Sequence, residues 1–174
     1  MYITKNTYFH IVALVFFVML KFFYSTANND AISILTKPTS ALVSLITNTN
    51  ATYNNNSGFY IEKLNIIIDK SCSGFNFWML CFILFFFILL KPIKKTVFKI
   101  ILLPISIILS FLATLFVNTS RILISLFIEH KTGLNYRWLH QAEGVFVYLL
   151  FLIFFFFITN YIQAKYIKNY EKFT

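Results

Sequence analysis

Acidic residues are scarce in this chain: six in 174 positions, against fifteen lysines and arginines. Charge of any sign is low, at 12%, while 59% of the residues are hydrophobic and 20% aromatic. So little polar surface excludes an ordinary soluble domain, and lipid must solvate part of the chain. The net charge of +9 invites nucleic acid as a partner. Its distribution excludes that reading, because the lysines cluster beside apolar runs, as cytoplasmic membrane flanks do. Cysteine is nearly absent. With only Cys72 and Cys81 there is no disulfide framework. Nine residues of helix would hold the two about 13 Å apart, too far for a bridge. No His/Cys/Asp/Glu cluster has metal-ligand spacing, and no glycine-rich loop could cradle a phosphate. The sequence therefore calls for no metal and no cofactor. Thirteen of the fifteen cations are lysine, which leaves Arg121 and Arg137 conspicuous, since only guanidinium offers a fixed fork of donors.

What is present is a series of long apolar runs. The first, 8–24, follows Lys5 but lacks a small-residue cleavage site, so it reads as a membrane helix rather than a signal peptide. Further spans are expected at 75–90, 97–117 and 144–161, with a separate short apolar stretch at 122–128 after the third. Between the first two spans lies a segment of about 25–72. Within it, 31–46 is interrupted by Pro38; Ala41, Leu42, Leu45 and Ile46 recur at helical spacing, opposite polar Thr39, Ser40 and Ser44. This predicts a short amphipathic helix at the interface, with a re-entrant segment as the alternative. The Asn-rich stretch 47–57 reads as a loop. The β-favouring 58–69 reads as a strand or hairpin leading into Cys72. The expected fold class is an all-α polytopic membrane protein of about four transmembrane helices, with a short interfacial helix and a small extracytoplasmic strand or hairpin. The whole of 1–174 is read as a single integral membrane domain.

The positive-inside rule orients it. The 91–99 connection holds four lysines and no acid, and Lys165, Lys168 and Lys172 follow the last span. Both regions, with the Lys5 end, are expected in the cytoplasm, which needs an even number of crossings. Asp30, Glu62, Asp69, Glu129 and Glu143 then fall on the other side.

That topology brings three reactive side chains to one depth. Cys72 precedes the second span at its outer end. Arg121 lies 23 residues beyond Phe98, about 34 Å along a helix, close to one hydrocarbon thickness. His140 precedes the fourth span. A thiolate attacks carbonyls, a histidine exchanges protons near neutrality, and an arginine stabilises a developing oxyanion. Each has a plainer reading: Cys72 as a small residue at a helix start, Arg121 as an interfacial anchor, His140 as a solvated loop residue. The rivals are weaker. His130 sits in a charged turn with Glu129 and Lys131; Arg137 joins Tyr136 and Trp138 in what reads as an interfacial belt; His10 faces headgroups or another helix. Cys81, mid-span among Phe and Leu, reads as an inert apolar residue.

Cys72-Ser73-Gly74 after a strand-like stretch, Asn118-Thr119-Ser120-Arg121 after a span, and His140 followed by Gly144 opening the last span resemble the exosortase/archaeosortase family. The run from Gly58 through Ile61 to Ile68-Asp69-Lys70-Ser71 resembles that family's lead-in. The likeness covers about 58–161, and the chain is most similar to the compact variety called exosortase K. The resemblance implies a cysteine protease/transpeptidase of the bacterial cytoplasmic (inner) membrane, multi-pass, with both termini cytoplasmic and the active site extracytoplasmic. Cys72 would be the nucleophile, His140 the general acid/base and Arg121 the transition-state stabiliser; Asn118, Ser73 and Gly74 would support them. The implied partners are exported proteins ending in a short motif, a transmembrane helix and a basic tail, besides membrane lipids. A reading from another class is a non-catalytic small membrane subunit for assembly or transport, in which Cys72→Ala retains function. A polytopic acyltransferase using His140 as base would likewise be indifferent to Cys72.

Overall fold

The computed structural model describes residues 5–132 and 137–171, with side chains over 6–129, 131 and 144–165. The elements run α1 (Lys5–Thr26), α2 (Asn29–Thr47), β1 (Ala51–Asn54), β2 (Gly58–Ile61), β3 (Ile66–Ile68), α3 (Phe75–Leu90), α4 (Thr96–Thr132) and α5 (Arg137–Glu171). Four helical segments are long and apolar enough to cross a membrane: Asn6–Thr26, Lys70–Leu90, Thr96–Glu129 and Gly144–Lys165. Each covers one of the four expected spans, the third running on past its expected end, and the protein is an all-α polytopic membrane protein carrying one small sheet.

α3 is the central helix. It packs against α1, α4 and α5, and Phe75, Phe77, Met79, Cys81, Phe82, Phe85, Phe86, Ile88 and Leu90 are all buried. Lipid tails are as apolar as these side chains, so the helices associate through close packing rather than transfer from water. α4 supplies the seam. Ser106, Ser110, Thr114 and Asn118 recur every fourth residue and are fully buried. Such small residues let backbones approach. Two of the hydroxyls satisfy themselves on their own helix, Ser110 Oγ donating to Ile107 O at 2.9 Å and Thr114 Oγ1 to Ser110 O at 2.8 Å. Cys81 sits in the core with Phe77, Phe85, Val117 and Val147. The lipid-facing side of α1 carries Ile11, Leu14, Val15, Val18 and Phe22.

Ring and polar contacts fix which ends meet. His10 lies edge-on to Phe87, and Lys99 donates to Asn6, so the start of α1 meets the end of α3 and the start of α4. At the opposite end Tyr24 stacks on Phe75, and Lys21 donates to Asn76. Tyr148 of α5 stacks on Phe77 at 4.7 Å, so α5 begins at this second end. Cys72, Arg121 and Gly144 therefore share one end of the bundle, and the 91–95 connection lies at the other.

Three expectations change. The break expected between 117 and 122 is absent: α4 is one helix of 37 residues, about 55 Å long, far more than a hydrocarbon core needs. The polar tetrad at 118–121 contains no helix stop; Asn118 is bonded to neighbouring elements, and Ser120 Oγ folds back onto Phe116 O at 2.9 Å. Second, α2 begins at Asn29, capped by the Asn28 side chain, which accepts from Ala31 N at 3.0 Å. It continues through Pro38 and buries Ile32, Leu35, Thr36, Thr39, Ser40 and Val43, whereas Leu45 and Ile46 are exposed. The face packed on the protein carries Thr39 and Ser40, and Leu45 and Ile46 of the apolar stripe are left outward. Thr39 and Ser40 tolerate burial because their hydroxyls donate to Leu35 O and Lys37 O, each at 2.8 Å. Third, the sheet has three strands in the order β1-β2-β3, both pairs antiparallel. β1 lies inside the stretch expected to be loop. The Asn-rich turn is held by Asn54, whose Oδ1 accepts from Asn56 N at 2.9 Å. The inward residues Ile61 and Ile68 pack with Val43 of α2 and Ile122 of α4.

Candidate active site

The sheet delivers the chain to Cys72 through a tight turn. Asp69, extended after β3, caps a 3₁₀ turn over Lys70–Cys72. Its Oδ1 accepts from Ser71 N at 2.9 Å, Cys72 N at 3.2 Å and Ser71 Oγ at 2.6 Å. Short polar side chains cap turns in this way because the first N–H groups have no backbone acceptor. Lys70 ties the turn to the end of α1. Its Nζ donates to Ala27 O at 2.7 Å and Ser25 O at 3.2 Å, and its carbonyl accepts from Tyr24 OH at 2.9 Å. Its backbone N–H donates to Asn29 Oδ1 at 3.0 Å, which adds α2 to the clamp.

Cys72 is half-buried, packed against the Val43, Ile61, Ile68 and Ile122 cluster. Its Sγ lies 3.8 Å from Ser71 Oγ. Ser73 is buried, and its Oγ accepts from Phe75 N at 3.3 Å, opening α3. Gly74 has φ +71°, a left-handed conformation that disfavours a side chain. A Cβ there would meet Asn118 Cγ and Thr114 Cγ2 at 3.1 Å, so this glycine also lets α4 close on the turn.

That approach puts Asn118 directly on the cysteine. Asn118 is fully buried; its Nδ2 donates to Cys72 O at 2.7 Å and its Oδ1 accepts from Tyr148 OH at 2.6 Å. One turn further along α4, Arg121 lies with its Cζ 5.2 Å from the Tyr148 ring centroid. Arg121 also fills the space beside Gly144, where a Cβ would stand 3.3 Å from Nη1 and 3.4 Å from Cδ. The buried Nε of Arg121 has no hydrogen-bond partner among the described residues. Asn118 and Arg121 are three apart on α4, and Gly144 and Tyr148 four apart on α5. Each pair therefore shares a face, and the two faces mate beside Cys72.

Of the residues expected from sequence, Cys72, Ser73, Gly74, Asn118 and Arg121 are thus gathered at one end, with Asn118 the direct link. His140 belongs to the first turn of α5, one turn before Gly144; its side chain lies outside the described residues, as do those of His130 and Arg137. Sequence reasoning missed Tyr148. Its signal was spacing: a tyrosine one helical turn after a span-opening glycine, in a run otherwise of Phe, Leu and Val. It also gave no role to Asp69, Lys70 or Tyr24.

Comparison with curated proteins and with solved structures gives no match. A family model described as transmembrane exosortase (Exosortase_EpsH) matches residues 3–157. That range runs from the start of α1 well into α5 and includes every residue of the Cys72, Asn118, Arg121 and Tyr148 cluster, so the chain belongs to the transmembrane exosortase family.

Proposed function

We propose that this protein is an integral membrane cysteine peptidase/transpeptidase that cuts the C-terminal sorting signal of exported proteins. The observation that carries the reading is the Asn118 bridge. One buried amide joins the Cys72 carbonyl to Tyr148, and the same ring bears Arg121. A thiol is thereby held at a fixed turn with a cation on the neighbouring helix face. Membership of a transmembrane sorting-related protease family supports the same chemistry.

In this reading a substrate's terminal helix lies beside the bundle and its recognition motif reaches Cys72. The Cys72 sulfur attacks the scissile carbonyl, and the carbonyl π electrons move onto oxygen. Arg121 stabilises that oxyanion; its Nε has no hydrogen-bond partner among the described residues. His140 takes the thiol proton and returns it to the leaving amine as the C–N bond breaks. Helix and basic tail depart, leaving a thioester. An amine-bearing acceptor then attacks the thioester and regenerates the thiol; water in its place gives plain proteolysis. Asn118, Ser73 and Gly74 act by shaping the turn. The lysines of 91–99 and of the tail favour a cytoplasmic location for the opposite end, which puts Cys72 on the extracytoplasmic side of the bacterial inner membrane.

The test is co-expression with an exported reporter ending in a motif, a transmembrane helix and a basic tail. Cys72→Ala is expected to abolish reporter cleavage. Unchanged cleavage in that variant would sink the thiol mechanism and favour a non-catalytic subunit.

A further inference from the structure

We propose that Tyr148 is a positioning residue of the Cys72 site: its hydroxyl locks the Asn118 amide onto the Cys72 carbonyl while its ring bears the Arg121 guanidinium. The proposal rests on Cys72 being the reactive thiol. The polarity of the chain follows from donor and acceptor chemistry. A backbone carbonyl only accepts, so Asn118 must turn Nδ2 toward Cys72 O. Oδ1 then faces Tyr148, and the phenol must donate. An asparagine amide can otherwise rotate by half a turn with little change of shape. The flipped amide would set Oδ1 against the Cys72 carbonyl, two acceptors facing each other; in the orientation found, the Tyr148 hydroxyl donates to Oδ1 and holds the amide in place.

The position of the ring is itself fixed from two helices. Phe77 of α3 stacks on it at 4.7 Å and 20°, and Arg121 of α4 lies against it at 5.2 Å. Gly144, one turn earlier on the same face of α5, leaves the room that Arg121 Nη1 and Cδ occupy. The Gly144/Tyr148 face thus sets both the group behind the thiol turn and the cation beside it. Among the described residues the hydroxyl is hydrogen-bonded to Asn118 and through it to the Cys72 turn, whereas the ring bears Arg121, and the two contributions separate by substitution.

The experiment uses the full chain purified in detergent, as wild type, Tyr148→Phe, Asn118→Ala and the double variant. Cys72 alkylation by iodoacetamide is followed by mass spectrometry of its peptide, and turnover is followed on the motif–helix–basic-tail reporter. Tyr148→Phe keeps the ring and is expected to raise the alkylation rate about threefold. It is expected to lower kcat about tenfold with KM unchanged, the scale of one lost hydrogen bond. In the Asn118→Ala background the same change is expected to have no further effect, because the link is already cut. Asn118→Leu replaces Asn118→Ala if the latter is not monodisperse. Alkylation of Tyr148→Phe at the wild-type rate, or an equal change in both backgrounds, overturns the proposal. If Cys72→Ala retains turnover, the catalytic reading fails on its own, and the alkylation comparison still decides whether Tyr148 positions the Cys72 turn.

Discussion

Asn118 Nδ2 donates to the carbonyl oxygen of Cys72 at 2.7 Å, across 46 positions of sequence and from a different helix. This bond converts a flexible polar-to-apolar junction into a fixed turn. Removing it leaves the Cys72 carbonyl and the Tyr148 hydroxyl without the Asn118 partner at a fully buried position. An orphaned buried polar group costs about 1–3 kcal/mol, and interhelical bonds in membranes sit at the low end. Asn118→Ala is therefore expected to lower stability by about 2 kcal/mol, read by reversible unfolding in mixed micelles. A wild-type unfolding midpoint would mean that water replaces the amide without loss.

Gly144→Ala separates stability from function. Within a helix this exchange ordinarily stabilises by about 1 kcal/mol. Here the added methyl meets Arg121 Nη1 at 3.3 Å, and a flexible guanidinium yields before the backbone does. Stability is expected to hold or rise while reporter cleavage falls at least about tenfold, the cost of a displaced oxyanion donor being of that order or larger. Full cleavage in both Gly144→Ala and Gly144→Leu would show that Arg121 needs no fixed place.

Gly74 is under two constraints, its positive φ and its contact with α4. A side chain in the left-handed region costs about 1–2 kcal/mol, and the 3.1 Å contacts with Asn118 and Thr114 add to it. Ser73→Ala loses only the Oγ cap of Phe75 N, about 1 kcal/mol. Gly74→Ala is expected to be the more destabilising of the two by at least about 1 kcal/mol; the reverse order in thermal unfolding would contradict the described turn.

Asp69 and Lys70 hold the same turn from the other side. Asp69→Ala is expected to cost about 1 kcal/mol and to speed iodoacetamide labelling of Cys72, whereas Asp69→Asn retains an acceptor for Ser71 and Cys72 and stays near wild type. Identical labelling of the Ala and Asn variants would remove the cap from the account.

Lys70→Met deletes the two donations to Ser25 O and Ala27 O at the end of α1. Basic side chains at a helix C-terminus contribute up to about 1–2 kcal/mol. Limited proteolysis is expected to cut the connection between α1 and α2 faster in this variant, and Lys70→Arg to restore part of the protection. Equal cutting rates would show that Tyr24 and Asn29 hold the turn without the ammonium.

Run length and lysine placement alone gave the four spans, because a hydrocarbon layer sets a length that few other elements match. They also gave the common depth of Cys72 and Arg121. Boundaries set by tertiary contact were harder to read. α4 continues past Asn118 because its polar side chains find partners on other elements and on its own backbone. α2 buries Thr39 and Ser40 rather than Leu45 and Ile46 because hydroxyls bonded to their own helix pack as small residues. β1 forms in an Asn-rich stretch because β2 offers it an edge. The partners of Asn118, Cys72 O and Tyr148 OH, lie 46 and 30 positions away, outside any local window.

The scarcity of acidic and cysteine residues, set against long apolar runs, determined that this is a membrane protein and singled out Cys72. The order of the Cys72, Asn118–Arg121 and His140–Gly144 motifs carried its resemblance to the exosortases. Only the tertiary structure decided what stands behind the thiol turn. Tyr148 is one aromatic among many in the last span, and its spacing from Gly144 alone assigns it no partner. Its hydroxyl acquires a role when Gly74 lets α4 close on the Cys72 turn and Gly144 leaves room for Arg121 beside α5. A hydrogen bond needs two groups within about 3 Å, and that proximity is a property of packed helices rather than of sequence.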